Sequence, residues 1–432
     1  MKLLLKNGRV IDPANKIDDV MDILIVDKKI AAVAKSIADE DALAYDLSGK
    51  IITPGWVDMH VHLREPGFEG KETIKTGTRA AIAGGVTAVA AMPNTKPVMD
   101  NQAVLKYVSE KGKELGWAKV YGIGAISKGS LGEELAEIGE LKDAGAVGLS
   151  DDGSPVSNGN LMRLAMEYAN MFDLPIISHA EDLLLTNEGY MHEGFHSIVL
   201  GLRGIPSVSE EAAVARDLQL AEMTKSRLHI CHVSAEGSVK LIRDAKARGV
   251  KVTAEVTPHH LTLTDEAVLS LDTNTKVNPP LRTAKDQSAL FEGLKDGTID
   301  VIATDHAPHA PEDKEVEFAY APFGILGLET LVPLTVDRLI HSGHLSWQEA
   351  IKRVTVNPAR ILGLDLGTLG VGQSADITVI DPEKVQRVSA EKFYSMAKNS
   401  PFIGWELKGW PIMTIVDGNI LMEDGLLIEK GR

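Results

Sequence analysis

Short apolar runs alternating with polar positions dominate both ends of the chain. The N-terminal runs lie at residues 3–5, 22–26, 30–34 and 42–47. At the C-terminal end, residues 375–380 form a further run, and Val416-Asp417-Gly418-Asn419 separates two more. Asp-Gly favours the two-residue turn that joins antiparallel strands. The pattern therefore predicts short strands at both ends, with no helix in the first fifty residues.

The middle of the chain alternates apolar runs with segments of helical spacing. Eight apolar runs occur, at residues 55–60, 85–92, 118–125, 145–150, 175–179, 227–232, 250–256 and 299–304. The intervening segments 133–144 and 210–223 carry apolar residues three and four apart, as in helices. Eight strand–helix units over roughly 300 residues predict an α/β fold of the (β/α)8 TIM-like barrel type, with an open doubly wound sheet as the alternative.

The two β-rich ends predict a second, smaller unit. Neither a low-complexity tract nor a Gly/Ser linker interrupts the chain. We therefore expect both ends to pack together as one small β-sandwich domain against the barrel. The predicted composite domain comprises residues 1–52 and 365–432, and the predicted barrel comprises residues 53–364.

Composition narrows the class of protein. The 432 residues are 44% hydrophobic and 25% charged, as in ordinary globular proteins. With 45 basic against 61 acidic side chains, the net charge of −16 argues against a general binder of nucleic acid or anionic membranes. No apolar stretch of about 18 residues suggests a membrane span. The single cysteine, Cys231, excludes a disulfide framework and a cysteine-rich zinc site, so we expect a cytoplasmic protein.

Side chains suited to metal binding follow five of the eight predicted barrel strands. They are His60 and His62 after the first strand, Asp152 after the fourth, His179 after the fifth, His232 after the sixth and Asp305 after the eighth. The carboxyl ends of all barrel strands open on one face, where the active sites of such enzymes lie. His60 and His62 are two residues apart in an extended segment, so both imidazoles point to the same side. The set predicts a metal site that suits zinc, with manganese, cobalt and iron left open.

Five other histidines and the cysteine favour structural roles, because a single histidine is more often a packing or surface residue than a ligand. Those in predicted helices or loops are His192, His196, His341 and His344. Strand alternation places His229 and Cys231 on the face opposite His232, and we expect Cys231 to be buried packing. His259-His260 follows the seventh strand, and both roles stay open for this pair.

Hydrolysis at such a site needs a nucleophile and a proton carrier. Metal lowers the pKa of bound water, producing hydroxide at physiological pH, and polarises the carbonyl under attack. Asp305 is the candidate base and acid, unless it is only a ligand or a helix N-cap. Arg64 lies two residues beyond His62, on the same side while the backbone stays extended, and its guanidinium suits a substrate carboxylate. Asn94 and Asn278 either bind a carboxylate or ring amide or are ordinary turn residues.

Two motifs resemble a known enzyme family. His60-Val61-His62-Leu63-Arg64-Glu65-Pro66-Gly67 and Ala303-Thr304-Asp305-His306-Ala307-Pro308-His309 are similar to the signatures of the dihydroorotases, in the long bacterial class of the amidohydrolase superfamily. The similarity continues to residues 367–376 and so covers nearly the whole chain. It implies reversible interconversion of N-carbamoyl-L-aspartate and L-dihydroorotate, the third step of pyrimidine synthesis.

The resemblance also assigns roles to residues. It implies that all six candidate ligands bind metal, that Asp152 bridges two metals, that Asp305 is the catalytic base and acid, and that Arg64 holds the substrate α-carboxylate. The implied substrate contacts are His62, Leu63, Arg64, Asn94, Asn278, His309 and the backbone around Phe323 and Gly324. Hydantoinases bridge their metals with a carboxylated lysine from strand four, but residues 144–153 contain no lysine. Asp152 takes the place of this lysine as the metal ligand, and Asp151 is expected to support it without binding metal. Whether the site holds one zinc ion or two stays open.

Two alternative functions and two partners complete the predictions. An allantoinase or hydantoinase would open a similar ring, but Arg64 argues against it because those substrates lack the α-carboxylate. A catalytically silent scaffold for aspartate transcarbamoylase is the non-enzymatic alternative, although such proteins typically lose ligands and all six are present. The partners considered besides a small-molecule substrate are a second copy of the chain and aspartate transcarbamoylase.

Overall fold

Strands near the N-terminus begin a sheet before the barrel starts. The computed structural model describes residues 2–429, so residues 1 and 430–432 of the predicted composite domain lie outside the described residues. The first five strands are β1 (Lys2–Asp12), β2 (Ile17–Val26), β3 (Lys29–Ala34), β4 (Leu43–Asp46) and β5 (Ile51–Pro54). The four strands predicted in this segment are all present, although β1 and β2 are longer than expected.

The middle of the chain forms the predicted barrel. Its strands, with a short β10–β11 pair inserted, are β6 (Trp56–Val61), β7 (Val86–Ala91), β8 (Lys119–Gly122), β9 (Ile176–Ser178), β10 (Met191–His192), β11 (Gly204–Ile205), β12 (Leu228–Ile230), β13 (Val252–Val256) and β14 (Val301–Ile302). The fourth predicted strand is an extended segment in which Leu149 bridges Gly124 on one side and Ile176 on the other. A parallel bridge between Val61 and His306 closes the ring, which confirms the barrel over the open sheet.

Helices connect the barrel strands. They are α1 (Ile74–Ala83), α2 (Gln102–Leu115), α3 (Ile138–Asp143), α4 (Gly159–Asn170), α5 (Leu183–Thr186), α6 (Phe195–Leu200), α7 (Val208–Thr224), α8 (Glu236–Ala247), α9 (Pro258–Thr262), α10 (Ala284–Asp296), α11 (Pro311–Lys314), α12 (Leu331–Leu334), α13 (Trp347–Val354) and α14 (Val356–Ile361). The predicted helix 210–223 lies within α7. The predicted helix 133–144 was too long, because Leu135 pairs with Ser127 and the helix begins only at Ile138.

Helix α2 illustrates how local sequence sets these elements. The side chain of Asn101 accepts hydrogen bonds from the backbone N–H of Ala103 and Val104, which satisfies two donors of the first turn. Gly116 ends the helix in a left-handed conformation with φ 66°. The buried residues Val104, Leu105, Val108 and Gly112 repeat at helical spacing and face the barrel.

The C-terminal strands complete the sheet begun by β1–β5. They are β15 (Ile377–Arg387), β16 (Glu406–Val416), β17 (Asn419–Glu423) and β18 (Leu426–Leu427). The order is β18-β17-β16-β15-β5-β1-β2-β3, with β4 also paired to β1. The predicted hairpin turns at Asp417 and Gly418, whose φ angles of 46° and 70° suit the Asp-Gly turn. Strand β5 joins the two chain ends, since it pairs with both β1 and β15.

One apolar cluster holds this sheet together. It contains Leu3, Leu5, Val10, Ile23, Ile25, Ile30, Leu47, Ile52, Leu369, Ala375, Ile377, Val379, Met413 and Ile415. Both chain ends therefore share a core, and the predicted sandwich is one continuous nine-stranded sheet. The domain boundaries at residues 52/53 and 364/365 stay a prediction. Among residues 2–429, no helix is long and apolar enough to cross a membrane.

Gly409 of strand β16 lies against Val336, in the segment that follows α12, and this close contact predicts an effect on stability. The φ of Gly409 is 90°, and a Cβ atom there would overlap the side chain of Val336. We expect Gly409→Ala to lower the free energy of unfolding by about 2–4 kcal/mol, from backbone strain and overpacking together. Gly425 is the matched control, because it has φ 81° and open space around it. Gly425→Ala should cost about 1 kcal/mol, and equal losses in urea unfolding would contradict the packing argument.

Candidate functional site

The six predicted ligands converge at the carboxyl ends of the barrel strands. The set is His60, His62, Asp152, His179, His232 and Asp305, and each residue is less than one-tenth exposed. Asp152 lies among the four histidines. Its Oδ1 is 3.4 Å from His60 Nε2, 3.4 Å from His179 Nδ1 and 3.6 Å from His232 Nε2. Its Oδ2 is 3.5 Å from His62 Nε2, so one carboxylate faces all four imidazoles.

Asp305 lies on the side of the first two histidines. Its Oδ1 is 2.9 Å from His62 Nε2 and 3.4 Å from His60 Nε2. The donor atoms form overlapping groups, one of His60, His232 and Asp305 and another of Asp152, His179 and His232. The arrangement offers places for one or two ions.

The donor geometry fits a metal ion. Two ligands bound tetrahedrally to zinc at 2.0–2.1 Å lie about 3.3 Å apart, close to the 3.4–3.6 Å separations around Asp152. His60 Nε2 and Asp152 Oδ1 are buried without a hydrogen-bond partner. Buried polar atoms are rarely left unpaired in folded proteins. These donors therefore suit zinc or a similar cation.

The electrostatics of the pocket also favour a cation. Burial lowers the pKa of His60, but the charges of Glu255, Asp152 and Asp305 raise it well above its usual value. Burial likewise lowers the pKa of His179, while its contacts with Asp152 and Glu181 raise it to about 10. The negative charges of these carboxylates favour a positive charge in the pocket, which a divalent ion can supply while the imidazoles stay neutral.

Two buried glutamates orient the histidine rings. His60 Nδ1 lies 2.5 Å from Glu255 Oε1, and His229 Nε2 lies 3.1 Å from Glu255 Oε2. His179 Nε2 lies 3.0 Å from Glu181 Oε2. Such contacts fix each ring so that its other nitrogen faces the metal site. Sequence analysis missed both glutamates, although an acid inside the apolar strand β13 was a usable signal for Glu255.

The placement of His229 and Cys231 on the face opposite His232 was wrong. His229 reaches Glu255 inside the barrel, and Cys231 Sγ lies within 4.8 Å of donor atoms of His60 and Asp152. Strand β12 ends at Ile230, and His232 has a left-handed φ of 31°. This turn breaks the alternation, so that Cys231 and His232 both face the centre. The predicted burial of Cys231 is confirmed.

The ambiguous pair after strand seven is resolved in part. His260 has a structural role, since its ring nitrogens lie 2.7 Å from Thr257 Oγ1 and 2.9 Å from Pro279 O. His259 Nε2 is buried without a hydrogen-bond partner. Burial keeps the pKa of His259 well below its usual value, so this ring is neutral.

The other residues given structural roles have ordinary partners. Asp151 accepts hydrogen bonds from the backbone N–H of Ile126 and Ser127, behind Asp152 as expected. The histidine contacts are His192 with Arg282, His196 with Asp265, His341 with the Pro382 carbonyl and His344 stacked on Phe291. His192 lies in the short strand β10, where a helix or loop was predicted.

Arg64 is directed toward the site by a left-handed backbone conformation that the sequence did not indicate. The assumption of an extended backbone was wrong, because Arg64 has a left-handed φ of 62°. Its Nε donates to the backbone oxygen of Pro308 at 3.1 Å. Burial lowers the pKa of Arg64, while Asp305 and Asp152 are near enough to raise it. The side chain of Leu63 is buried in the barrel core, which leaves only its backbone for a substrate.

Both predicted substrate asparagines contact the histidine cluster. Asn94 Oδ1 lies 2.9 Å from His62 Nδ1. Asn278 Nδ2 donates to Glu181 Oε2 at 3.0 Å and lies 3.4 Å from His179 Nε2. Neither is an isolated turn residue, so each can link the metal donors to a bound molecule.

The loop after strand eight brings the last predicted contacts together. His309 Nε2 lies 2.8 Å from the Phe323 carbonyl, and burial lowers the pKa of His309 to about 3, so the ring is neutral. Asn399 was missed by sequence analysis. Its Nδ2 donates to the carbonyls of Ala307 and Gly324 at 3.1 Å, and its Oδ1 accepts from the backbone N–H of His309. A residue more than 70 positions away therefore braces this loop.

Comparisons with known proteins agree with this geometry. The dihydro-orotase-like family matches residues 49–238, and the amidohydrolase family matches residues 212–422. A dihydroorotase of Pelotomaculum thermopropionicum is 57% identical over 428 residues, which cover 99% of this chain and all of the relative. A dihydroorotase of Syntrophotalea carbinolica is 56% identical over 420 residues, covering 97% and 99%.

Solved structures share the fold at greater distance. An L-hydantoinase (dihydropyrimidinase) from Arthrobacter aurescens has a TM-score of 0.91 at 28% identity, covering 99% of this chain and 97% of its own. A dihydropyrimidinase from Brevibacillus agri has a TM-score of 0.86 at 23% identity, covering 99% and 96%. The hydantoinases thus share the scaffold, whereas the relatives at more than 50% identity are dihydroorotases over nearly the full length. This chain belongs to the dihydroorotases, cyclic amide hydrolases of the amidohydrolase superfamily.

Proposed function

We propose that the chain catalyses the reversible cyclisation of N-carbamoyl-L-aspartate to L-dihydroorotate in pyrimidine synthesis. The observation that carries the proposal is the position of Arg64 beside the six-donor cluster, where it adds a carboxylate-binding group to a hydrolytic site. Full-length relatives named dihydroorotase support the same reaction.

The proposed metal is zinc, as one ion or two. His60, His62 and Asp305 would hold it on one side and His179 and His232 on the other, with Asp152 bridging in place of a carboxylated lysine. When bound, zinc supplies Lewis acidity, which lowers the pKa of water and polarises a carbonyl. The orphaned His60 Nε2 and Asp152 Oδ1 support this assignment.

Asp305 is the proposed proton carrier. Burial raises the pKa of Asp305, but the charge of His60 and the contact with His62 lower it to about 2. A bound cation would lower the pKa of Asp305 in the same way while the imidazoles stay neutral, so the carboxylate is ionised at neutral pH. The carboxylate can accept a proton from the attacking water and deliver it to the ring nitrogen as the amide bond breaks. In the direction of synthesis, the same carboxylate takes the proton from the ureido nitrogen as the C–N bond forms, and returns it to the oxygen that leaves the substrate carboxyl carbon as water.

The surrounding side chains hold the substrate. Arg64 is proposed to bind the α-carboxylate through the N–H groups that Pro308 leaves free. Asn94, Asn278 and His309 are proposed to hydrogen-bond the carboxylate or ring, together with the backbone at His62, Leu63, Phe323 and Gly324. Their clustering around the donors supports these roles.

The remaining proposals concern assembly and location. A second copy of the chain and aspartate transcarbamoylase are kept as proposed partners. Exposed Phe195, Ile198 and Val199 on one face of α6 offer apolar surface for such contacts. A cytoplasmic location stays a prediction that rests on the single cysteine.

A three-substrate assay tests the proposed reaction. We expect ring closure of N-carbamoyl-L-aspartate and ring opening of L-dihydroorotate to be far faster than opening of allantoin or dihydrouracil, because only the former pair presents a carboxylate to Arg64. Preference for allantoin or dihydrouracil would replace the proposal with the hydantoinase alternative. Absence of all turnover in metal-loaded protein would favour the silent scaffold.

Replacing Asp305 tests the proton carrier. Asp305→Ala should lower kcat by about 10³-fold or more, because the base and acid are both lost, while elemental analysis still finds metal held by the histidines. Asp173, which is 85% exposed, provides the control variant Asp173→Ala with unchanged kcat. Near-normal turnover in Asp305→Ala would refute the role.

Replacing Arg64 tests carboxylate recognition. Arg64→Met should raise KM, with a loss of about 2–3 kcal/mol in transition-state stabilisation for one charge-assisted contact. Arg64→Lys should recover part of this loss, because it restores charge without the planar fork. An unchanged KM for Arg64→Met, measured by steady-state kinetics, would remove Arg64 from the site.

A further inference from the structure

Two buried lysines lie between the loops that carry the proposed substrate contacts. We define the strand-seven loop as residues 272–282 and the strand-eight loop as residues 306–324. Lys276 is 3% exposed and Lys314 is 7% exposed. Lysine is almost never fully buried in proteins unless its amine is paired. These positions therefore need an explanation beyond packing.

Each amine donates to backbone carbonyls across the two loops. Lys276, in the strand-seven loop, donates to the carbonyls of Phe318 and Ala319 in the strand-eight loop, both at 2.9 Å. Lys314, in the strand-eight loop, donates to Thr273 O in the strand-seven loop at 3.1 Å and to Pro322 O at 2.7 Å. The cross-links run in both directions, so neither loop can shift without breaking them.

The cross-links lie next to the proposed substrate contacts. The backbone N–H of Gly324 donates to the carbonyl of Lys276 at 2.9 Å, and Asn278 follows Lys276 by two residues. Lys276 Nζ also lies 4.8 Å from the ring centre of Phe323 and 5.0 Å from that of Tyr190. Cation–π attraction of this kind strengthens when the amine is shielded from water.

Holding these amines out of water has an energetic cost. Burial lowers the pKa of Lys276 to about 8, and burial together with the charge of Lys276 lowers that of Lys314 to about 7. A chain retains such groups only where their hydrogen bonds satisfy something else. Here they satisfy the carbonyl oxygens of Phe318, Ala319 and Pro322, which lie in loop backbone, and add a second donor to Thr273 O, which also accepts the backbone N–H of Lys276.

We propose that Lys276 and Lys314 form a clasp that fixes the strand-seven and strand-eight loops in the arrangement that binds the substrate. They are positioning residues, which set substrate affinity through Asn278, Phe323 and Gly324. The proposal rests on the substrate contacts proposed above. It adds a determinant of affinity that touches neither the substrate nor the metal donors.

Steady-state kinetics of Lys276→Met and Lys314→Met test the clasp. Methionine keeps the bulk of the stem but donates no hydrogen bond. Each variant should raise KM for L-dihydroorotate by about tenfold or more, change kcat by less than about threefold and keep its metal, because only ground-state positioning is lost. Limited proteolysis should cut within residues 272–282 or 306–324 faster than in the parent protein.

Lys398→Met is the matched control. Lys398 also donates to two backbone carbonyls, those of Phe393 and Ser395, but both lie in its own segment. This variant should leave KM unchanged. Unchanged KM in folded Lys276→Met and Lys314→Met would overturn the clasp, as would a KM increase of the same size in Lys398→Met. Should Lys276→Met fail to fold, Lys314→Met and Lys314→Gln carry the same test.

The Arg64 variant separates failure of the clasp from failure of the proposed contacts. Normal KM in the lysine variants alongside raised KM in Arg64→Met would overturn the clasp alone. Normal KM in Arg64→Met alongside raised KM in the lysine variants would instead overturn the proposed carboxylate contact and leave the clasp standing.

Discussion

Closure of the barrel between its first and last strands is the constraint on which the site depends. The backbone N–H of His62 donates to the carbonyl of His306 at 2.9 Å. Four residues before His62, within strand β6, the side chain of Asp58 accepts hydrogen bonds from the backbone N–H and the hydroxyl of Thr304. Asp58 is fully buried, and this burial raises its pKa to about 7. The seam joins residues almost 250 positions apart and so brings His62 against Asp305.

Left-handed backbone at three points aims side chains into the pocket. Arg64, His232 and Asp305 have φ angles of 62°, 31° and 50°. Such backbone conformations are unfavourable for residues other than glycine and persist only where the surrounding structure enforces them. Each lies just beyond the end of a barrel strand, where the ladder no longer dictates the direction of the chain. The site is thus built at the points where regular structure stops.

Two buried glutamates then hold the histidine side chains in their orientations. Glu255 contacts His60 and His229, and Glu181 contacts His179 and Asn278. Contacts of this kind raise the basicity of metal-binding imidazoles and prevent their rotation. They also join two functions, since Glu181 links a proposed metal ligand to a proposed substrate contact. A displacement of His179 or of Asn278 would therefore change the contact that Glu181 makes with the other residue.

The sequence alone determined the barrel, the shared β-sheet of both chain ends and the set of donors that converge. These depend on local features: apolar periodicity, turn residues and the position of His or Asp at a strand end. Only the tertiary structure decided that Cys231 faces the centre, that Arg64 bends toward it, and that Glu255, Asn399 and the buried lysines support the site. The physical reason is that these depend on φ angles beyond strand ends and on contacts such as His60 with Glu255, 195 residues apart, which leave no periodic signal in the sequence.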